Sequence, residues 1–142
     1  MGSGRKDFDS VLREIDESTA SGRLAESVQM CESLLSQHDL SSSQIVLVLE
    51  RLARAKLQSG RYTEAKTILE NLLSGGRDRG DRFLVGRAHL DLGTAYLRMG
   101  LYAQAEEHYR AAIYVFKWEV DEPSWLAWSY NNLGILLKLR GE

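Results

Sequence analysis

The sequence predicts an all-α protein built from antiparallel helical hairpins, and three observations carry that prediction. Apolar residues recur at intervals of three and four over long stretches, which places them on one side of a helix. Pro123 is the only proline in the 142 residues, and no stretch shows the alternating pattern of a half-buried strand. Glycines fall mainly between the periodic stretches. Four of them, Gly22, Gly60, Gly100 and Gly141, stand 38, 40 and 41 residues apart, so one helix-turn-helix unit recurs about three and a half times.

Taken in order, the first unit covers residues 8–40 and turns at Gly22. In the second, over residues 44–76, Val48, Leu49, Leu52, Ala53 and Leu57 form one apolar stripe that stops at Ser59-Gly60, where glycine can take the left-handed conformation that ends a helix. A helix from Tyr62 to Leu73 follows. The third unit, residues 81–119, has a helix from about Asp81 to Met99, a break at Gly100, and a helix from Tyr102 to about Lys117. Residues 38–43, 75–80 and 120–124 are then the loops between units. The fourth unit, residues 124–142, stops where its second helix is expected, which reads as a piece of a longer protein. Residues 1–4 read as a cloning scar or a disordered end, leaving residues 5–142 as a single domain.

Composition narrows the function. Eighteen Lys and Arg against 20 Asp and Glu give a net charge of -2, with no global basic field for nucleic acid or an anionic membrane. No apolar run approaches the roughly 20 residues that cross a bilayer, and the polar start lacks a secretory segment, so a cytoplasmic location is expected. Lys6 stands where a myristoylation signal wants Ser or Thr. Arg79-Gly80-Asp81 spells an adhesion tripeptide but reads more simply as a loop in which Asp81 caps the next helix. Cys31 is the only cysteine, which excludes an internal disulfide and the usual zinc sites, and it reads as a core thiol. His38, His89 and His108 show no metal-ligand spacing, and Glu106-Glu107 and Asp121-Glu122 point apart or into solvent. No catalytic residue, metal or cofactor is expected.

Residues 86–119 carry a more specific pattern: Leu92-Gly93, Tyr96, Gly100, Tyr102, Ala105, Tyr109 and Ala112. They resemble a tetratricopeptide repeat, with His89 standing where the family favours Trp. The second unit matches with Leu52-Ala53, Gly60, Tyr62, Ala65, Leu69 and Leu72, though Lys56 replaces the first aromatic. The first is weaker, having Gly22, Leu24, Ser27, Cys31 and Leu34 in step but Ile15 where a small residue is usual. The fourth offers Tyr130, Leu133-Gly134, Leu137 and Gly141. The resemblance implies a right-handed superhelical solenoid that binds protein partners. Repeats longer than about 34 residues are similar to those of kinesin light chains, cell-polarity adaptors and bacterial regulators.

In that family the first helix of each repeat lines a concave groove. The resemblance therefore assigns partner contacts to Arg51, Arg54, Arg87, Asp91, Thr94, Arg98, Trp128, Asn131, Asn132 and Lys138. The arginines suit an acidic peptide, unless neighbouring carboxylates such as Glu50 and Asp91 pair them locally. Asn131-Asn132 resembles the paired asparagines with which kinesin light chains hold a peptide backbone. The leading expectation is an interaction scaffold for a peptide or helical segment, and the alternative is a sensory or regulatory module of a larger bacterial signalling or transcription-regulating protein. The helix from Trp125 to Leu139 is apolar on nearly every side, so a homodimer through Trp125, Leu133, Leu136 and Leu137 is a further expectation.

Overall fold

The computed structural model describes residues 7–141, so the expected scar at residues 1–4 lies outside the described residues. Those residues form seven α-helices and a π-helical turn, with no strand among them: α1 (Phe8–Ala20), α2 (Leu24–Leu35), α3 (Ser42–Gln58), α4 (Tyr62–Arg79), α5 (Arg82–Arg98), α6 (Tyr102–Tyr114), the π turn Val115–Glu119, and α7 (Pro123–Leu139). They follow one another as helix-turn-helix repeats, about three and a half in number. Contacts divide the chain into two compact units that meet in sequence at Arg61 and Tyr62.

Helix starts are chemically specified. The Asp7 side chain accepts from the Ser10 N–H at 2.7 Å, and Ser41 and Gln44 form a reciprocal capping box at the start of α3. Asp81 accepts from the Leu84 N–H at 3.1 Å, which satisfies an amide that has no partner within its own helix. Pro123 opens α7, where a missing N–H costs nothing. Helix ends fall at glycines of positive φ, +80° at Gly22, +82° at Gly60, +78° at Gly100 and +81° at Gly141. All four are the break glycines of the sequence pattern.

One boundary differs from expectation. The Gly75–Gly80 stretch is not a loop, because α4 continues through Gly75 and Gly76 and stops only at Gly80, at φ +70°. Gly76 is buried, and a Cβ there would lie 3.1 Å from Val85 Cγ2. Its carbonyl also accepts from the Asp81 N–H at 2.8 Å, which closes the helix end. This glycine packs closely against Val85 within the helix, where the sequence suggested a loop.

The first unit packs α1, α2 and α3 around Ile15, Cys31, Val48 and Ala53, all fully buried. Burial pushes the Cys31 thiol up to about 12, so it is a neutral packing group at any ordinary pH. Ser27, also fully buried, shares hydrogen bonds with Thr19 Oγ1 at 2.9 Å and the Arg23 carbonyl at 3.2 Å.

In the second unit α5 is the central helix, buried on nearly every side and packed by both α4 and α6. Two glycines let α6 and the π turn approach it. A Cβ on Gly93 would sit 2.5 Å from the Tyr109 ring, and one on Gly86 would sit 2.6 Å from Phe116. The π turn keeps Val115 and Phe116 buried and is tied to the start of α5 by two bonds from Arg82 to Glu119, at 3.1 and 2.7 Å.

Candidate partner-binding face

In the second unit, the surface that could meet a partner is built on α5 and α7. These helices occupy the same place in consecutive repeats, since Leu92-Gly93 and Leu133-Gly134 stand 41 residues apart. Carrying that offset along α5 pairs Arg87 with Trp128, Leu90 with Asn131, Asp91 with Asn132, Thr94 with Ile135, and Arg98 with Leu139. Positions spaced by three, four and seven share one side of a helix. Both rows are at least partly open, apart from Leu90, which is buried.

An aromatic ladder joins the two rows at their N-terminal ends. The Arg87 guanidinium lies 4.4 Å over the Phe83 ring. Phe83 meets Trp125 edge-on at 5.8 Å, and Trp125 stacks on Trp128 at 5.1 Å. Trp128 thus has one ring face supported and remains 51% exposed. Farther along α7, Ile135 is 46% and Leu139 60% exposed. Complete burial of an aliphatic side chain of this size is worth roughly 1.5–3 kcal/mol, much of it unrealised while the row faces water.

The expected contact residues are not equivalent in this setting. On α5, Arg98 is exposed, while Arg87 and Asp91 are half-buried. The Thr94 hydroxyl is engaged internally, 3.0 Å from the Tyr109 hydroxyl and 3.3 Å from the Leu90 carbonyl. On α7, Asn131 and Lys138 are exposed and Asn132 is half-buried. Arg51 and Arg54 belong to the first unit, half-buried on α3, and Arg51 Nε pairs with Asp16 of α1 at 3.3 Å. The local pairing considered for the arginines therefore holds for Arg51, which Asp16 meets.

Of the residues expected to self-associate, Leu133 and Leu136 are buried within the chain's own core, against which α6 packs. Trp125 is in the ladder and also 5.9 Å from Phe116, and Leu137 is half-buried. The apolar surface that α7 presents to solvent is instead Trp128, Tyr130, Ile135 and Leu139.

The crossing of Gly93 under Tyr109, a small residue beneath a large one, is part of a repeat pattern recognised as a family's. The tetratricopeptide repeat model matches residues 44–117 and again 84–142, together well over half of the sequence. The chain belongs to the tetratricopeptide repeat family. No curated protein and no solved structure matches it. The tetratricopeptide repeat is a non-catalytic scaffold, and among the described residues no group of three or more His, Cys, Asp or Glu could hold a metal ion. Among the same residues, no helix is long and apolar enough to cross a membrane.

Behind the face lies a cluster that periodicity did not reveal. His89 Nδ1 and His108 Nδ1 are 3.0 Å apart, so one imidazole donates and the other accepts. Tyr96 stacks on His108 at 5.3 Å, and Lys66 of α4 lies 5.7 Å over Tyr96. Burial holds His89 down at about 4, with His108, Arg77 and Arg82 adding to the effect. His108 is also lowered, mainly by burial, although Glu107 and Glu70 oppose the shift. The available signal was position: His89 and His108 stand 11 and 8 residues from Gly100, and residues at similar distances from an antiparallel turn face each other.

Proposed function

We propose that this tetratricopeptide repeat chain is a protein-interaction scaffold that holds a peptide or helical segment of its partner along the α5 and α7 rows. One observation carries the proposal. The row Trp128, Asn131, Ile135 and Leu139 stays exposed on a helix that buries Leu133 and Leu136 in the chain's own core. Contiguous exposed apolar surface with a polar rim marks a binding site more often than chance exposure does. Arg87, Asp91 and Arg98 form one rim, and Asn131, Asn132 and Lys138 supply amides and a cation to a ligand main chain or carboxylate. Thr94 acts through Tyr109, holding the hairpin behind the row. Within the first unit, Arg51 and Arg54 are proposed as separate partner contacts.

Selection of a random peptide library displayed on phage, against the purified chain, tests this reading. Trp128→Ser should weaken the selected peptides at least tenfold. Trp118→Ser should not, although Trp118 is even more exposed at 68%, because it lies on the π turn outside the rows. Equal loss from both variants, or loss from Trp118→Ser alone, would place the binding face elsewhere.

A further inference from the structure

The two rows differ in chemistry, and the difference specifies a ligand. Toward solvent, α5 presents Arg87, Asp91 and Arg98, whereas α7 presents Trp128, Ile135 and Leu139, with Lys138 beside them. Across this face three cations stand against one carboxylate, while the whole chain carries a net charge of -2. The face is therefore positive on a protein of net negative charge, and two of its three cations, Arg87 and Arg98, lie on the α5 side of its apolar strip.

We infer that the ligand is an amphipathic helix carrying an acidic stripe beside an apolar stripe, the apolar stripe seated on Trp128, Ile135 and Leu139 and the acidic stripe turned toward Arg98 and Arg87. This rests on the α5 and α7 rows being the binding face. Helix geometry favours this occupant over an extended chain. Packed helices lie about 8–10 Å apart, and a helix with its side chains is about 10–12 Å across, so one helix can touch two neighbouring rows at once. Residues three and four apart on the ligand would then present carboxylates to one row and aliphatic groups to the other. An extended strand sends alternate side chains to opposite faces and offers only every second one to the surface. Arginine favours carboxylate partners through its forked donors, and Arg87 is already oriented by its stack on Phe83.

Three synthetic peptides of about 18 residues, a length matched to these helices, test the inference. The first has a Leu stripe beside a Glu stripe, the second has Lys in place of Glu, and the third has the first peptide's residues in shuffled order. Titration monitored by tryptophan fluorescence should show the Glu peptide binding at least tenfold more tightly than either control. Its affinity should fall with added salt. The double variant Arg98→Glu, Lys138→Glu should reverse the preference toward the Lys peptide. Both substituted side chains are exposed, and an unchanged thermal midpoint confirms that the variant is folded.

Equal binding of striped and shuffled peptides, preference for Lys in the unaltered chain, no reversal in the double variant, or no binding up to about 1 mM would each overturn the inference. Those results leave the face itself standing if library peptides still depend on Trp128. Tight binding of the Glu peptide that ignores Trp128→Ser would instead remove the face, and the inference with it. Light scattering supplies the remaining arm: a dimer that Trp128→Ser converts to monomer would make a second copy the occupant and overturn the proposed helix.

Discussion

Gly93 and Gly134 occupy the same position in consecutive repeats, each following a buried leucine, yet their surroundings are opposite. Gly93 lies under Tyr109, with no room for a methyl group, whereas a Cβ on Gly134 would meet nothing within 4 Å. The third repeat is a closed hairpin, and α7 has an open flank among the described residues. The same Leu-Gly signature therefore has two physical meanings, set by whether a second helix covers it. The first repeat reaches closure with the sizes reversed: Ile15 and Cys31 stand where Gly93 and Tyr109 do 78 residues later, and both are fully buried. Within this chain the crossing is filled in both repeats, although neither residue is the same.

The largest contrast should come from the aromatic groups on the two flanks. Tyr109 is 1% exposed, and Tyr109→Ala should cost about 3–5 kcal/mol by analogy with other large aromatic truncations. Tyr130, at 47% exposure, should cost about 1 kcal/mol or less when truncated. Urea denaturation of the two variants compares them directly, and similar losses would break the distinction between closed and open flanks.

Acid should attack the closed repeat next. His89 titrates at about 4 in the folded chain, below its ordinary 6.5. Above pH 6.5 neither the folded nor the unfolded form binds this proton. As the pH falls from 6.5 toward 4 the unfolded chain takes it up first, so stability declines at up to about 1.4 kcal/mol per pH unit from this group. His89→Gln should flatten the decline, as read from denaturation midpoints across that window. An unchanged slope would show that the pair does not govern acid sensitivity.

The glycines should then give effects of opposite sign. Gly93→Ala forces Tyr109 or the helix crossing to shift, for a net loss of about 1–3 kcal/mol. Gly134→Ala adds a better helix former to an open position and should stabilise by up to about 1 kcal/mol. A loss of stability at both sites would mean that the α7 flank is covered.

The smallest effect concerns the polar tie between α6 and α7. Glu106 accepts from Arg110 at 2.7 Å and from Arg140 at 2.5 Å, and these bonds hold its carboxyl below the usual range. Glu106→Gln should lower the thermal midpoint slightly and speed amide hydrogen exchange in α7 more than in α5. Equal acceleration in both helices would show that the tie does not act locally.

Much of this architecture was legible because its determinants are local. The four break glycines adopt the left-handed conformation that makes glycine a turn residue, and the period of three to four located the helices of the later repeats, α3 to α7. Gly76 misled because the same missing Cβ serves tight packing as well as turns, and only the neighbouring Val85 and Leu84 distinguish the two uses. Leu133 and Leu136 were assigned to a surface because α7 is apolar all round, and sequence alone does not say which side α6 covers. The histidine pair depends on two helices crossing, which individual periodicities do not register. For the candidate face, the row positions followed from the repeat offset, but the ladder from Arg87 to Trp128 depends on how α5 and α7 pack against each other.

The most direct test of the proposed binding face is an amide and indole chemical-shift map of the isotope-labelled chain during titration with its tightest selected peptide. The account predicts the largest shifts at Trp128, Asn131, Asn132 and Arg98, with Trp118 and Tyr114 unmoved. Shifts centred on Trp118 and Tyr114, with the α7 row silent, would contradict it.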